Sequence, residues 1–410
     1  MVDFDHNFSA AIIAKRDAAY QMWHKGFIKS AAFALPIEVY QTKPTRGDNY
    51  RFIRRHFHPI WSWYVLLVRI IGLNNPFKEI FAFIVQSGTK RINPYTSVFP
   101  HRESYDQFKS NVRLSAPKVS IIIPTLNRYP CLSDALNDLE KQDYPNFEVI
   151  VIDQSSPFQE DFYQKFDLSI TVRQQHEKAL WLARNTAIRL SNADYLLLFD
   201  DDSRVEKDWI SQHIKCIDFF KADISAGVSI SKVGDKVPEN YRHFRWADQL
   251  DTGNALIKRN VFEKIGLFDR QFEGQRMGDG AFGLRAHLAG FTSISNSHAQ
   301  RLHLKVSEGG LREMGSWDGF RPKSWFAPRP VPSVLYFFRR YFSPKTVFLG
   351  IIIGVLPSLI PYRFKKNRWL LILGSLLSIL LLPLIFIQVL RSWLISTKKM
   401  KEGPKIEFLQ

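Results

Sequence analysis

The middle of the chain alternates apolar runs with stretches of helical spacing. Three apolar runs predict buried strands at 118–124, 147–153 and 194–200, and Thr171–Arg173 suggests another. Apolar residues three or four positions apart predict helices over Leu132–Gln142 and Ala179–Leu190. Strands that alternate with helices indicate an α/β fold, with a mostly parallel sheet and helices on both faces.

Polar residues follow these predicted strands at their carboxyl ends. They are Thr125–Arg128, Asp153–Ser155 and Asp200–Asp202. Ligands of open α/β sheets bind outside the carboxyl ends of the strands. We therefore expect the three segments to be neighbours across one crevice, although they are far apart in sequence.

The C-terminal flank has a different pattern. Trp369–Leu390 is twenty-two residues without a charge, and such a helix would be roughly 33 Å long, enough to cross a bilayer. Thr346–Ile360 is uncharged but shorter, so it could span a membrane, re-enter it, or be a buried soluble helix. Eight basic residues at the outer ends against four in the connecting loop favour a membrane hairpin with both ends in the cytoplasm. An amphipathic interfacial helix is expected just before it, at 334–342.

The N-terminal flank contains two apolar stretches, Ile60–Ile71 and Pro76–Gln86, each interrupted by charged residues. We expect helices there that pack on the central domain or on a membrane surface. The predicted organisation has three regions: a basic and aromatic N-terminal region at 1–116, the α/β domain at 117–330, and the interfacial helix with the membrane hairpin at 331–410.

Charge is distributed unevenly between these regions. The net charge of +17 is the sum of +8 in residues 1–116, −1 in residues 117–330 and +10 in residues 331–410. The neutral centre argues against nucleic acid as a partner, because nucleic-acid-binding domains are usually basic. Basic flanks rich in apolar residues favour contact with membrane lipids. Only two cysteines are present, which excludes a disulfide scaffold and a cysteine-based zinc site.

Three adjacent carboxylates, Asp200, Asp201 and Asp202, stand at the end of the strand predicted at 194–200. Such neighbours repel each other, and a divalent cation such as Mg²⁺ or Mn²⁺ removes that penalty. Alternating side chains would place Asp200 and Asp202 on one side. A solvated acidic turn is the alternative. Asp153 could likewise accept hydrogen bonds from a base or ribose, or could cap a turn.

A set of short motifs stands in one order along this domain. They are Val119–Arg128, Val149–Asp153, Leu182–Asn185, Leu198–Asp202, Thr252–Ala255, Gly266–Asp269, Gly278-Asp279, Leu284-Arg285 and Ala289-Gly290. Each motif is weak alone, but together they resemble the family 2 glycosyltransferases, which have the Rossmann-like GT-A fold. The resemblance extends roughly from Pro117 to Arg312.

This resemblance implies a site for a nucleotide-sugar donor and a divalent metal, Mn²⁺ or Mg²⁺. The nucleotide-sugar residues would be Pro124, Thr125, Asp153, Arg184, Asp200 and Asp201. The metal ligands would be Asp202, Asp200 and His303. The metal would stabilise the negative charge that develops on the leaving nucleoside diphosphate. For Arg184 and His303, an ordinary surface cation and an ordinary surface histidine are the alternatives.

The resemblance also implies a catalytic base. The family usually has Glu-Asp at the start of a helix, where this chain has Gly278-Asp279. Asp279 would accept the proton of the acceptor hydroxyl as its oxygen attacks the anomeric carbon, and this single displacement inverts the configuration. Asp279 could instead be a helix N-cap, in which case Glu273 is the reserve candidate for the base.

We therefore predict an inverting, metal-dependent glycosyltransferase at the cytoplasmic face of a membrane, the inner membrane if the source is bacterial. It would move one sugar to a glycan or lipid-linked acceptor during assembly of a surface polysaccharide or glycolipid. Processive members of the family carry a Gln-x-x-Arg-Trp pattern, which this sequence lacks. A processive synthase and a catalytically silent membrane scaffold are the alternative functions.

Overall fold

The computed structural model describes residues 2–28, 41–93, 95, 100–231, 237–248, 250–306, 309–311, 319–322, 324–361, 364 and 367–409. The chain forms two compact units. Unit 1 comprises Met1–Lys109 and Val237–Trp246, and unit 2 comprises Ser110–Lys236 and Ala247–Gln410. Residues 331–410, which we predicted as a separate region, thus belong to the same unit as the central sheet.

Unit 1 consists mainly of helices. Their bounds are Ala11–His24, Arg46–His56, Ile60–Ile71, Pro76–Val85 and Arg102–Gln107. A buried ionic cluster joins the first two helices, where the Asp17 carboxylate lies 3.0 Å from Arg55 Nη2 and 2.6 Å from His56 Nε2. A capping box between Thr45 and Asp48 begins the second helix. The two apolar stretches that we predicted as helices are the third and fourth.

The described residues contain nine strands. They are β1 (Val119–Thr125), β2 (Phe147–Asp153), β3 (Ile170–Gln174), β4 (Tyr195–Phe199), β5 (Ser203–Val205), β6 (Ile224–Ile230), β7 (Arg245–Trp246), β8 (Asn254–Lys258) and β9 (Ser293–His303). Strand β7 belongs to unit 1 and the others to unit 2.

The sheet of unit 2 is mixed rather than mostly parallel throughout. Its strand order is β3-β2-β1-β4-β8-β6-β9-β5. Neighbours are parallel from β3 to β4, as predicted, and β6 is also parallel to β9. The β4–β8, β6–β8 and β5–β9 pairs are antiparallel. The sequence patterns did not predict this antiparallel half.

Helices cover both faces of the sheet. Those of unit 2 are Asn111–Ser115, Tyr129–Leu139, Leu180–Leu190, Trp209–Phe220, Arg259–Ile265, Gly278–Leu288, Pro332–Tyr341, Pro344–Ser358, Arg368–Leu380 and Leu382–Glu402. In β1, Ile121 and Ile123 pack with Leu132 on one face, whereas Ile122 packs with Trp181 on the other. Because both faces are covered, every residue of β1 is buried, and this explains its continuous apolar run.

The predicted single helix over Trp369–Leu390 is wrong. This run is divided between the helices Arg368–Leu380 and Leu382–Glu402. Pro383 lies in the first turn of the second helix, where its missing N–H is tolerated, whereas it would interrupt a continuous helix. Among the residues that the structure describes, no helix is both long and apolar enough to cross a bilayer.

The helix predicted for a membrane interface forms at Pro332–Tyr341 but packs inside unit 2. Leu335 and Tyr336 are buried in the core, and the Tyr336 hydroxyl donates to Asp269 Oδ2 at 3.1 Å. Its apolar residues match a protein core as well as a lipid surface, because both are apolar environments.

The C-terminal residues of the chain form hydrogen bonds with an earlier segment of the same unit. The backbone N–H of Leu267 donates to the carbonyl of Glu407 at 2.7 Å, and that of Arg270 donates to the carbonyl of Lys405 at 3.1 Å. The Lys405 N–H in turn donates to Asp269 Oδ1 at 2.9 Å. We call residues 403–409 the C-terminal tail.

Candidate functional site

The candidate site lies at the carboxyl ends of β1, β2 and β4. Strand β1 pairs in parallel with β2 on one side and with β4 on the other, so the strand order reverses between β1 and β4. Open α/β sheets bind their ligands at such a reversal. Thr125 bonds to Asp201, and the Ser155 hydroxyl accepts from the Asn127 N–H. The three polar segments are thus neighbours, as the sequence predicted.

Two buried arginines hold the Asp200 carboxylate. Its Oδ1 accepts a hydrogen bond from Arg184 Nη2 at 2.8 Å, and its Oδ2 accepts one from Arg301 Nη1 at 2.9 Å. Arg184 also donates to the Thr252 carbonyl at 2.9 Å. Arg184 is therefore not a surface cation. It lies beneath the site and positions Asp200.

Gly253 has a physical reason to be glycine. A Cβ at this position would lie 2.2 Å from both Arg301 Nη1 and Asp200 Oδ2. Any side chain would therefore displace the ion pair between Arg301 and Asp200. This accounts for the glycine of the Thr252–Ala255 motif.

Arg301 is a site residue that the sequence did not reveal. It lies in β9 and also bonds to Asp251 Oδ2 at 2.9 Å and to the hydroxyls of Ser203 and Ser229. Burial disfavours the charged form of Asp251, but the charge of Arg301 and the hydrogen bonds from Ser229 and the Gly253 N–H together lower the pKa of this carboxyl. These partners come from distant strands, so no local pattern of residues could have identified Arg301.

Asp201 connects the end of β1 to the acidic turn. The Thr125 hydroxyl donates to Asp201 Oδ2 at 2.8 Å, and Arg128 Nη1 donates to Oδ1 at 3.2 Å. Burial raises the pKa of Asp201 to about 7, although the charge of Arg128 opposes this shift. Pro124 and Thr125 are themselves buried in β1. Contact of these residues with a nucleotide-sugar stays a prediction.

Asp200, Asp202 and His303 form a group that could hold a metal ion. One ligand atom from each lies within 4.8 Å of the others. Asp200 to Asp202 lie in the turn between β4 and β5, so this turn, and not strand alternation, brings the two carboxylates together. Carboxylate oxygens with one imidazole nitrogen suit Mn²⁺, and oxygen ligands suit Mg²⁺. The residues therefore fit a divalent cation.

Hydrogen bonds hold the metal-binding candidates in place. His303 Nε2 lies 3.3 Å from Asp202 Oδ1, and Arg128 Nη1 donates to Asp202 Oδ2 at 3.1 Å. Burial disfavours the charged form of Asp202, but the bond from His303 and the charge of Arg128 lower its pKa overall. Arg128 also donates to the carbonyls of Val306 and Gly309. His303 is mostly buried, and so it is not an ordinary surface histidine.

Asp153 ends β2 and is completely buried. Its Oδ2 accepts hydrogen bonds from the hydroxyls of Tyr129 and Tyr163, both at 2.7 Å. Its Oδ1 accepts from the backbone N–H of Ser155 at 2.8 Å. The carboxylate thus orders the loop after β2 and the helix after β1, as the turn-capping alternative expected. Its contact with a base or ribose stays a prediction.

Asp279 lies in the first turn of the helix Gly278–Leu288, and the N-cap position belongs to Met277. Asp279 Oδ1 accepts from the Gly280 N–H at 2.7 Å. Burial raises the pKa of Asp279, the charge of Asp251 adds to the rise, and Arg184 opposes it. A carboxyl with a raised pKa near other charged site residues is suited to proton transfer.

The glycine before Asp279 is explained by Trp181. A Cβ on Gly278 would lie 2.2 Å from the Trp181 ring, which is buried. The indole thus takes the space that an acidic side chain would need. The ring is fixed by a bond from its Nε1 to the Phe272 carbonyl at 3.1 Å.

Glu273, the reserve candidate for the base, has another role in the structure. Its carboxylate accepts hydrogen bonds from the backbone N–H groups of Trp181 and Leu182, at 3.1 and 2.8 Å. It therefore caps the amino end of the helix Leu180–Leu190, where a negative charge is favourable. This leaves Asp279 as the better placed of the two carboxyls.

Comparison with known proteins agrees with this geometry. Residues 120–284 match the model of the family Glycosyl transferase family 2. Glycosyltransferase GlyA of Streptococcus pneumoniae is 25% identical over 168 residues, which are 39% of this chain and 22% of that protein. Glycosyltransferase AglE of Haloferax volcanii is 27% identical over 164 residues, which are 38% of this chain and 53% of that protein.

Among solved structures, the mannosyltransferase PcManGT from Pyrobaculum calidifontis, in complex with GDP-Man and Mn²⁺, aligns with a TM-score of 0.46 at 16% identity. The alignment covers 72% of this chain and 91% of that one. The chain spans about half the length, or less, of the curated relatives GlyA and AglE.

Proposed function

We propose that this chain, which carries a glycosyltransferase family 2 domain at residues 120–284, moves one sugar from a nucleotide-sugar to an acceptor hydroxyl with inversion. One observation carries the proposal. Asp200, Asp202 and His303 converge at the carboxyl end of β4, and the partly buried Asp279 lies within the electrostatic influence of Arg184, which holds Asp200. The relatives GlyA and AglE are both named as glycosyltransferases, which supports the same activity.

The acidic turn would hold the donor diphosphate with the help of a divalent cation. A bound cation would supply positive charge against the charge that develops on the leaving diphosphate. Arg184 and Arg301 keep the Asp200 carboxylate in one orientation, and His303 orients Asp202. The site is therefore preorganised, so little reorganisation is needed during the reaction.

Asp279 would be the general base. In its ionised form it would accept the proton from the acceptor hydroxyl while the hydroxyl oxygen forms the bond to the anomeric carbon and the bond to the diphosphate breaks. A pKa raised by burial brings a carboxylate closer to the pH at which proton transfer is efficient. We propose a glycan or a lipid-linked sugar as the acceptor, in surface polysaccharide or glycolipid assembly.

The test is nucleoside diphosphate release by the full chain from UDP-, GDP- and dTDP-sugars, with Mn²⁺ or Mg²⁺ and with membrane lipid extract as a source of acceptor. We expect release from one donor that is abolished by EDTA and lowered about a thousandfold in Asp202→Asn. Asp161→Asn, at an exposed position outside the site, is the matched control and should keep full activity. Wild-type rates in Asp202→Asn would contradict the metal site.

The same assay separates the alternative functions. A ladder of products of increasing length would indicate a processive synthase, whereas a single added sugar supports the proposal. Binding of Mn²⁺ and nucleotide-sugar without turnover, with every donor and with lipid extract present, would favour a catalytically silent scaffold.

A further inference from the structure

We infer that the helical hairpin Ile60–Val85 of unit 1 binds an anionic phospholipid surface with its outward face and lies on the bilayer without crossing it. The inference depends on side chains of this hairpin and not on the transfer reaction. It concerns the two consecutive helices Ile60–Ile71 and Pro76–Val85.

The hairpin has apolar side chains on two opposite faces. On the inward face, Leu66, Ala82 and Phe83 pack around Tyr50 of the preceding helix. A surface helix of a soluble protein would be polar on the other face. Here the outward residues are apolar too and recur every four positions, which places them in stripes: Trp63, Leu67 and Ile71 on one helix, Phe77 and Phe81 on the other.

The exposure of these residues is large. Leu73, at the turn between the helices, is 94% exposed, and Phe77 and Phe81 are 82% and 71% exposed. Contiguous exposed apolar surface of this kind marks a binding face for a protein, a ligand or a membrane. The helices are twelve and ten residues long, so each is roughly 15–18 Å in length, which suits lying in a lipid interface rather than spanning one.

The charge of this region favours an anionic lipid as the occupant. Glu79 is the only acidic residue between Asp48 and Glu103, and it is buried. Its carboxylate is neutralised by Arg46 at 2.7 Å and by Arg69 at 2.9 Å. The solvent-facing charges nearby are therefore cationic, and Lys78 adds another on the second helix. Cationic side chains beside apolar ones complement anionic head groups over acyl chains.

Unit 2 has its own surface with exposed apolar side chains. In the helices Arg368–Leu380 and Leu382–Glu402, Trp369 is 80% and Phe386 is 70% exposed, and Leu380 and Leu394 are exposed as well. The sequence contains no acidic residue between Asp318 and Glu402. Two separate segments thus combine exposed apolar side chains with solvent-facing charges that are basic, which supports lipid over a protein partner.

The first experiment measures co-sedimentation of the full chain with vesicles of phosphatidylcholine, alone or mixed with phosphatidylglycerol. We expect binding to the mixed vesicles that decreases with salt. The triple variant Leu73→Ser/Phe77→Ser/Phe81→Ser should weaken binding about tenfold or more, because each substitution removes apolar area from the contact. The double variant Leu114→Ser/Leu288→Ser is the matched control, since both leucines are similarly exposed but lie outside the two surfaces.

The second experiment reads the hairpin directly, because a fluorophore on the hairpin reports only its own surroundings. An environment-sensitive fluorophore is attached at Phe77→Cys in a Cys131→Ser background, in which Cys216 is buried. We expect a blue shift of its emission with mixed vesicles. The same fluorophore at Leu114→Cys should show no shift.

Three outcomes would overturn the inference. One is failure of the wild-type chain to bind either vesicle. Another is an unchanged emission of the fluorophore at position 77 when the chain is bound. The third is a concentration-dependent dimer in lipid-free buffer that the triple variant abolishes, because a second copy of the chain would then cover this face.

Discussion

Among single residues, Gly278 shows how a neighbouring side chain limits which residue a position can hold. The family that the chain resembles usually has an acidic residue there, but the Trp181 ring is so close that a Cβ would lie 2.2 Å from it. The indole is fixed by its bond to the Phe272 carbonyl and packs at 5.1 Å from the Phe268 ring centroid. The glycine is therefore coupled to the tryptophan.

The variant Gly278→Ala tests this coupling. Alanine normally favours a helix over glycine by about 1 kcal/mol. Overpacking against the ring should instead lower the free energy of unfolding by about 1–3 kcal/mol. Urea denaturation measures the change, and the double variant Gly278→Ala/Trp181→Leu should lose less than the sum of the two single losses. Strict additivity would mean that the contact does not constrain position 278.

Asp279 supports a prediction about pH. Because burial raises its pKa, the carboxyl is protonated at a higher pH than an ordinary aspartate, and a protonated carboxyl cannot accept a proton. We expect kcat/KM to fall as the pH is lowered through this raised pKa. Asp279→Asn should lower kcat by about 10²–10⁴-fold and remove that acidic limb. A wild-type pH profile in the variant would show that another group is the base.

Between secondary-structure elements, Asn254 of β8 and His213 of the helix Trp209–Phe220 form a buried network. Asn254 Nδ2 donates to the carbonyls of Val228 and Ala299, each at 3.0 Å. Its Oδ1 must therefore accept, and it lies 3.0 Å from His213 Nε2. The ring thus carries its proton on Nε2. The asparagine of the Thr252–Ala255 motif joins β8 to β6 and β9 and does not reach the site.

This network predicts how stability depends on pH. Burial lowers the pKa of His213 from 6.5 to about 4, so between these values the unfolded chain binds the proton that the folded chain excludes. The contribution of His213 to the free energy of unfolding is therefore fully present above pH 6.5. It decreases as the pH falls, by about 3 kcal/mol at pH 4. Urea titrations from pH 8 to pH 5 should show a shallower decrease in His213→Gln. The exposed His287→Gln is the control and should follow the wild type.

For the whole molecule, the C-terminal tail joins residues that are far apart in the chain. It supplies carbonyls to Leu267 and Arg270 and an N–H to Asp269. Deletion of residues 403–410 should lower the stability of unit 2 by about 2–4 kcal/mol, because two backbone–backbone hydrogen bonds and one from the Lys405 N–H to the Asp269 carboxylate are lost. Hydrogen exchange of the Leu267 and Arg270 amides should accelerate. The exposed Phe408→Ser keeps those bonds and serves as the control, and unchanged exchange after deletion would contradict the prediction.

The parallel half of the sheet could be predicted because three of its four strands, β1, β2 and β4, carry apolar runs. Strand β9 carries none, since its sequence is mostly polar from Ser293 to His303. Several of its polar residues are nevertheless buried: Asn296 donates to Ser225 and Arg301 binds Asp200. Such burial depends on partners in other strands, so period-two patterns could not reveal it. The motif residues, Arg184 among them, were identified from short sequence patterns, whereas Arg301, which also holds Asp200, was not.

The membrane hairpin was predicted from the length of the uncharged runs and from the distribution of basic residues around them. Length identifies an apolar run, but a helix break within the run depends on Pro383 and on packing of the second helix against Pro332–Tyr341. A hydropathy pattern shows neither the effect of this proline nor the packing between the two helices. The same limit explains why the Pro332–Tyr341 helix was placed at a lipid interface and lies in the core of unit 2.

The C-terminal tail also determines when unit 2 can be completed during synthesis. Asp269 and Lys405 are separated by 136 residues, and a ribosome adds roughly 5–20 residues per second. The segment around Leu267 therefore emerges on the order of ten seconds before the C-terminal tail is synthesised. During that interval the backbone groups of Leu267 and Arg270 lack the carbonyls that later receive them. Chaperones that recognise unpaired backbone and apolar surface would therefore meet the nascent chain around Leu267.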